Sequence, residues 1–232
     1  MLEGLLPVRV AVAEVFGDPP HTELFPEEHA VVAGALDARR REFAGVRRCA
    51  RTAMARLGMP PVPILPRGEG PGWARYAPCW PDGTVGSMTH CKGYRAAAVA
   101  GAADVASVGI DAEPHAPLPE GLHDVVTLPE ERRTLTRLAA AHPGVAWERV
   151  VFSAKESVFK AWYPLTGRWL GFHDCVVTPD PDRETFTATL RIPGPVVSGV
   201  RVGRFTGRWR ILEHDDGGWV GTAVTVGGPP DQ

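Results

Sequence analysis

The 232-residue chain has only four cysteines, Cys49, Cys79, Cys91 and Cys175, and no two of them form a CxxC pair. That spacing supports neither a zinc ribbon nor a redox centre, so reduced, partly buried thiols are expected. Long apolar runs are also missing, and nothing approaches the roughly 18 residues of a membrane-spanning helix. The first stretch, "MLEGLLPVRVAVAEVF", carries an early acid and alternates, whereas a secretory leader would be basic and then apolar. A cytoplasmic protein without a membrane partner is expected. Charge excess is absent too: with a formal net charge of −2, global charge favours neither nucleic acid nor a lipid surface. No GxGxxG, P-loop, HExxH or GxSxG occurs, which leaves dinucleotide, NTPase, zincin and serine-hydrolase readings without an anchor.

What is present reads as an α+β chain. Residues 5–16 alternate as a strand, and after the turn "GDPPHTEL" a helical pattern runs from Pro26 to Gly58, either unbroken or interrupted near Gly45. Residues 60–83 are rich in Pro and Gly and read as a long irregular loop, a feature that is often functional. "TVGSMTH", "YRAAAVAGA" and "ASVGIDAE" then form three strands whose short connections suit an antiparallel meander. In the second half Thr127 and Glu130 read as a capping box opening "LPEERRTLTRLAAAHP". "WERVVFSAKESVFKAWYP" is a second helix stopped by Pro164, and four strands close the chain, the last two joined by "DDGG". Helices followed by a meander, twice over, divide the chain into two α+β halves, 1–106 and 107–232.

Three groups of residues could carry chemistry. In "SVGIDAE" the carboxylates Asp111 and Glu113 alternate along a strand and share a face. Two acids held close repel unless a cation lies between them, and Mg²⁺, a hard ion completed by phosphate oxygens, would relieve the repulsion. A strand ending in solvent is the alternative. On the helix "FSAKESVFKAW", Val151, Ala154, Val158 and Trp162 recur at core-facing spacing, while Glu156 and Lys160 stand four apart on another face with Lys155 beside them. That is a metal-and-phosphate pairing or an ordinary surface pair. On the arginine-dense helix, Arg40, Arg47 and Arg51 fall within about 40° of one another around the axis, forming a stripe that suits solvent, phosphates or nucleic acid. His90 closes "SMTH" at a strand end, where a structural hydrogen bond is the alternative to a functional role.

The order of these segments is more specific than any one of them. "SMTH", then "VGIDAE", then "FSAKESVFKAW" resembles the 4′-phosphopantetheinyl transferases of the Sfp type. "RRREFAGVRRCARTAM", "CWPDGTVGSMTHCKGYRAAAV", "SVGIDAEPH" and "KAWYPLTGRWLGF" are similar to the branch containing the enterobactin-synthase enzyme and its actinobacterial relatives. The resemblance covers most of residues 37–172. It implies two pseudo-symmetric α+β halves in one chain, each a small antiparallel sheet packed on helices, with the active site in the cleft between them.

The same resemblance implies a holo-[acyl-carrier-protein] synthase that moves 4′-phosphopantetheine from coenzyme A to a serine of an apo acyl or peptidyl carrier protein and releases 3′,5′-ADP. Such carriers serve fatty-acid, polyketide, nonribosomal-peptide and siderophore pathways. Asp111, Glu113 and Glu156 match metal-binding carboxylates for Mg²⁺, with Mn²⁺ as the alternative. Lys155 and Lys160 match lysines near the pyrophosphate, His90 a phosphate-contacting histidine, and Arg39 and Arg47 residues that hold the adenosine 3′-phosphate end. Arg67 replaces a loop lysine of the family, with Arg75 as the other candidate. Asp111, Glu156 and Lys160 are the expected catalytic groups, Glu156 as base for the serine proton and Lys160 as stabiliser of the leaving group. A monomer without nucleic-acid partners is expected. Two competing readings use the same residues: a Mg²⁺-dependent phosphodiesterase acting on coenzyme A or nucleotides, and a non-catalytic nucleic-acid-binding protein using the arginine stripe.

Overall fold

Two antiparallel sheets stack face to face, and each has a long helix on its outer side. The structure, a computed structural model, describes residues 1–17, 22–72, 74–214 and 218–227. The first sheet holds β1 (Ala11–Phe16), β2 (Thr84–Cys91) and β3 (Tyr94–Gly101) in the order β1-β3-β2. The second holds β4 (Val105–Pro114), β5 (Cys175–Asp180), β6 (Thr185–Leu190), β9 (Arg204–Leu212) and β10 (Trp219–Gly227) in the order β4-β10-β9-β6-β5. A small hairpin, β7 (Val196–Val197) with β8 (Val200–Arg201), stands apart.

Strand alternation explains the layering. On β3, Ala97 and Val99 face Cys49, Ala50, Ala53 and Met54 of helix α2 (Asp37–Arg56), while Ala96, Ala98 and Ala100 face Val108, Ile110 and Ala112 of β4. On β10, Ala223 joins that inner layer, whereas Val220, Val224 and Val226 turn outward to Val151, Ala154 and Val158 of helix α5 (Trp147–Thr166). Two shorter helices, α1 (Pro26–Val31) and α4 (Pro129–Ala141), precede α2 and α5, and a single turn, α3 (His123–Val126), leads into α4. The architecture is the expected α+β arrangement of two similar halves.

Several local expectations are corrected. The first strand begins at Ala11 and not at residue 5, and Leu5 instead closes a 3-10 turn, Leu2–Leu5, in which Leu2 and Leu5, three apart, both bury their side chains in the inner layer. The break between the first helices falls at residues 32–36 and not near Gly45. Gly45 lies inside α2, where a Cβ would stand 3.2 Å from Arg95 Cδ. The third strand of the expected meander, β4, leaves β3 and pairs with β10, from Trp219↔Pro114 to Gly227↔Val105. The cap of α4 is Leu128 with Glu131, one residue later than expected, and Thr127 donates its hydroxyl to His123 O at 2.6 Å. Pro164 does not stop α5. It sits in the last turn, and Gly167, left-handed at φ 64°, ends the helix. All four cysteines are free thiols, two of them buried. The "GDPPHTEL" and "DDGG" turns lie partly outside the described residues.

Candidate active site

Carboxylates, a lysine, a histidine and arginines come together where β4, β2 and α5 meet. The alternate residues Ser107, Gly109 and Asp111 of β4 turn toward α5. The Ser107 hydroxyl donates to Ala161 O at 2.8 Å. Two residues on, Gly109 lies so close to the helix backbone that a Cβ would stand 1.9 Å from Ser157 O and 2.7 Å from Ala161 N. Only glycine fits. This approach brings the next facing residue, Asp111, within reach of Lys160, whose Nζ donates to Asp111 Oδ1 at 2.7 Å and to Ile110 O at 3.1 Å.

The opposite edge of β4 is closed by side chains of β2. Ser87 Oγ accepts from Ile110 N at 3.1 Å, and Thr89 Oγ1 accepts from Ala112 N at 3.0 Å while donating to Asp111 Oδ1 at 3.3 Å. Both bonds on Asp111 therefore fall on Oδ1. Among the described residues its Oδ2 is buried without a hydrogen-bond partner.

The other two carboxylates share this field. Arg149 Nη1 donates to Glu113 Oε2 at 3.0 Å. Burial is the main force that pushes the Glu113 carboxyl up to about 7, with Asp111 and Glu156 adding to it and Arg149 and Lys160 opposing. The Glu156 carboxyl is also raised, chiefly by burial, with Lys160 opposing and Asp111 adding. Burial alone would depress the Lys160 ammonium, but Asp111, Glu156 and Glu113 together hold it above its ordinary value. Among the described residues no three His, Cys, Asp or Glu side chains are gathered into a cage for a metal ion, and Lys160 and Arg149 stand against Asp111 and Glu113 instead. The donor set still suits a hard divalent cation, since three carboxylates repel in one field and Asp111 offers a buried oxygen that has no hydrogen-bond partner among the described residues.

On the β2 side, Arg39 Nη1 lies 3.0 Å from His90 Nε2 and 3.4 Å from Glu42 Oε2. Because the guanidinium can only donate, Nε2 accepts and the imidazole is neutral. Burial holds the His90 pKa down, Arg39 and Lys160 contribute to this, and Glu42 opposes. Arg47 is buried, donating its Nε to Ile64 O at 3.2 Å, with its guanidinium carbon 3.5 Å from the Phe43 ring centroid. Arg67 is exposed and reaches across to α5, 5.4 Å above the Tyr163 ring, whereas Arg75 stacks on its neighbour Tyr76 at 5.1 Å. Of the two loop arginines, Arg67 is the one brought toward α5.

Two expectations fail on geometry. The arginine stripe is not a free basic face: Arg40 bonds the carbonyls of Ala35 and Ala33, and Arg51 pairs with buried Glu28. Lys155 does not present its ammonium to a phosphate. Its side chain is 2% exposed, and Nζ gives its three protons to Glu131 Oε2 at 2.8 Å, Val126 O at 2.8 Å and Phe172 O at 2.7 Å. Gly109, Thr89, Arg149 and Glu131 were not foreseen. A glycine inside a strand pattern signals close backbone approach and could have marked Gly109, while the other three depend on long-range contacts that no local pattern carries.

Two family models match the chain: one described as the 4′-phosphopantetheinyl transferase N-terminal domain over residues 27–100, and one as the 4′-phosphopantetheinyl transferase superfamily over residues 107–211. The 4′-phosphopantetheinyl transferase Svp of Streptomyces mobaraensis is 54% identical, spanning 99% of this chain and 90% of that protein. PptT of Mycobacterium tuberculosis is 43% identical over 97% of this chain and 98% of its own length. Npt of Nocardia iowensis is 45% identical over 97% and 99%.

Proposed function

Because the chain belongs to the 4′-phosphopantetheinyl transferase superfamily and is an enzyme of that kind, we propose that its donor is coenzyme A and its acceptor the serine of an apo acyl or peptidyl carrier protein. The acceptors are those of fatty-acid, polyketide, nonribosomal-peptide or siderophore assembly, and the enzyme works as a cytoplasmic monomer. It operates as one unit of two halves, 1–106 and 107–232. The first half grips the nucleotide end of coenzyme A through Arg39, Arg47, Arg67 and His90, with Arg75 at the loop's outer side. The second half carries the chemistry.

Asp111, Glu113 and Glu156 would hold Mg²⁺, or Mn²⁺ in its place, which when bound offsets the negative charge of the pyrophosphate. The serine Oγ forms a bond to the β-phosphorus, the bond from that phosphorus to the bridging oxygen breaks, and 3′,5′-ADP leaves with the electron pair. Glu156 takes the serine proton, and Lys160 faces the charge that develops on the leaving oxygen. His90, neutral and bonded to Arg39, orients the phosphates as a hydrogen-bonding group and adds no charge of its own.

The observation that carries this reading is the Asp111 carboxylate: one oxygen is held by Lys160 and Thr89, and the other is buried without a hydrogen-bond partner among the described residues, in the field of Glu113 and Glu156. Incubation with coenzyme A, Mg²⁺ and an apo carrier protein, followed by mass spectrometry of the carrier, tests it. A gain of one phosphopantetheine is expected. Cleavage of coenzyme A without that gain would replace serine by water as acceptor and make the protein a phosphodiesterase.

A further inference from the structure

The two halves share a device that neither the carboxylate cluster nor the phosphate grip accounts for. "FPEE" at 25–28 and "LPEE" at 128–131 open α1 and α4 with the same cap, a proline in the first turn and a glutamate reaching back to the cap amide. Glu28 Oε2 accepts from Phe25 N at 3.1 Å, and Glu131 Oε2 accepts from Leu128 N at 2.7 Å. Each glutamate is fully buried, and each has a cation on the following long helix: Arg51 of α2 on Glu28 at 2.9 Å, and Lys155 of α5 on Glu131 at 2.8 Å. Each also takes one amide from the segment after that helix, Ile64 N at 2.9 Å and Val177 N at 2.7 Å. A cap, a long helix and the chain beyond it are tied to one carboxylate in each half.

What the two braces support is different. Ile64, held through its amide by Glu28, offers its carbonyl to Arg47. Lys155, held by Glu131, adjoins Glu156 in sequence and fixes the Phe172 carbonyl. Beyond Lys155 and Glu156, the cleft on this side of α5 is lined by Phe159, Trp169, Leu170 and Phe172.

We infer that Glu131 is a positioning residue for the transfer step, acting through Lys155 on the Glu156 segment of α5 and on the 170–172 wall, while its counterpart Glu28 positions the coenzyme grip at Arg47. Lys155 is then the strut through which Glu131 acts, not a phosphate ligand. The inference rests on the function proposed above.

A brace that only stabilises its half would lower melting temperature and leave the kinetic constants alone, so the two glutamates are best separated by kinetics. Glu131→Gln and Glu28→Gln keep the size but remove the buried charge and turn one of the two accepting oxygens into a donor. Each is assayed at a temperature where circular dichroism matches the wild type, with kcat from transfer to an apo carrier protein and Kd for coenzyme A from calorimetry. For E131Q the expected result is a kcat lower by about tenfold or more, with Kd for coenzyme A within about threefold. For E28Q the larger effect falls on Kd, weakened by more than about threefold. The same split in both variants, or lower stability with kcat and Kd unchanged in E131Q, overturns the inference. Should E131Q fail to fold, Glu131→Asp, which keeps the charge but withdraws it by one methylene, is read against the same outcomes. A wild-type protein that transfers nothing from coenzyme A defeats the function proposed above, whereas normal turnover in a folded Glu131 variant defeats only this inference.

Discussion

Gly109→Ala is the smallest change that should damage both the fold and the chemistry. An alanine Cβ there would stand 1.9 Å from Ser157 O, 2.7 Å from Ala161 N and 3.0 Å from Ser157 C. All three are main-chain atoms of the middle of α5, so no side chain can rotate away. To bring 1.9 Å to the 3.4 Å of ordinary contact, strand and helix must part by 1.5 Å. Overpacking of this kind costs about 3 kcal/mol, the upper end of the usual range, because rigid backbone must move. For a chain of 232 residues that corresponds to a melting temperature lower by about 6–12 °C. The retreat also carries Lys160 away from β4. Its bonds of 2.7 Å to Asp111 and 3.1 Å to Ile110 O would stretch beyond hydrogen-bonding distance. Misplacement of about 1 Å at a reacting centre can cost about 10²-fold in rate, and a loss of that size in kcat/KM is expected even where the variant is folded. Thermal unfolding by circular dichroism and the carrier-protein mass assay measure the two effects. A Gly109→Ala protein with an unshifted melting temperature would refute the close approach, and one that is destabilised yet fully active when cold would refute its link to Lys160.

Asp111→Ala and Glu156→Gln should each reduce transfer by at least about 10²-fold while far-ultraviolet circular dichroism stays unchanged, since each removes a carboxylate proposed to hold the divalent cation that offsets the pyrophosphate charge. Lys155→Ala strands Glu131 as an unpaired buried charge, and urea denaturation should register about 3–5 kcal/mol, far above the roughly 0.5 kcal/mol of a surface lysine. For Glu14, burial pushes the carboxyl up, but the Met1 ammonium, the Tyr94 hydroxyl and the Leu2 amide together hold it below 4.5. A carboxyl lowered by folding stabilises above its unfolded pKa and loses that contribution as pH falls through the folded value. Melting temperature should therefore decline on acidification, and Glu14→Gln should flatten the decline; an equally steep decline in the variant would count against the network.

The site was legible in part because its residues lie in short ordered strings. The strand period put Asp111 and Glu113 on one face, and the helix period put Glu156 four residues from Lys160. Both relations survive because they depend only on local geometry. Lys155 misled for a reason equally local: next to Glu156 in sequence, it lies about 100° away around the helix, toward the core, where its partners Glu131, Val126 O and Phe172 O all come from outside α5. Strand partners were beyond reach for the same reason. Short connections suggested that β4 would pair with β3, but its partner β10 is supplied by the end of the chain, more than 100 residues later. The first strand was begun too early, at residue 5 instead of Ala11, because alternation over a few residues does not show where pairing with β3 starts.

The Ser87 and Thr89 hydroxyls have a consequence for the shape of the molecule. A strand edge such as that of β4 normally recruits another backbone, and a ladder running from β2 into β4 would have fused the sheets into one continuous surface. By answering the Ile110 and Ala112 amides with side chains, β2 satisfies that edge without extending the ladder. The seam is closed to strand addition by a foreign chain, yet the two sheets remain free to diverge there. A carboxylate placed in such a seam, as Asp111 is, stays buried between the two amides that β2 answers, with its Oδ2 left without a hydrogen-bond partner among the described residues.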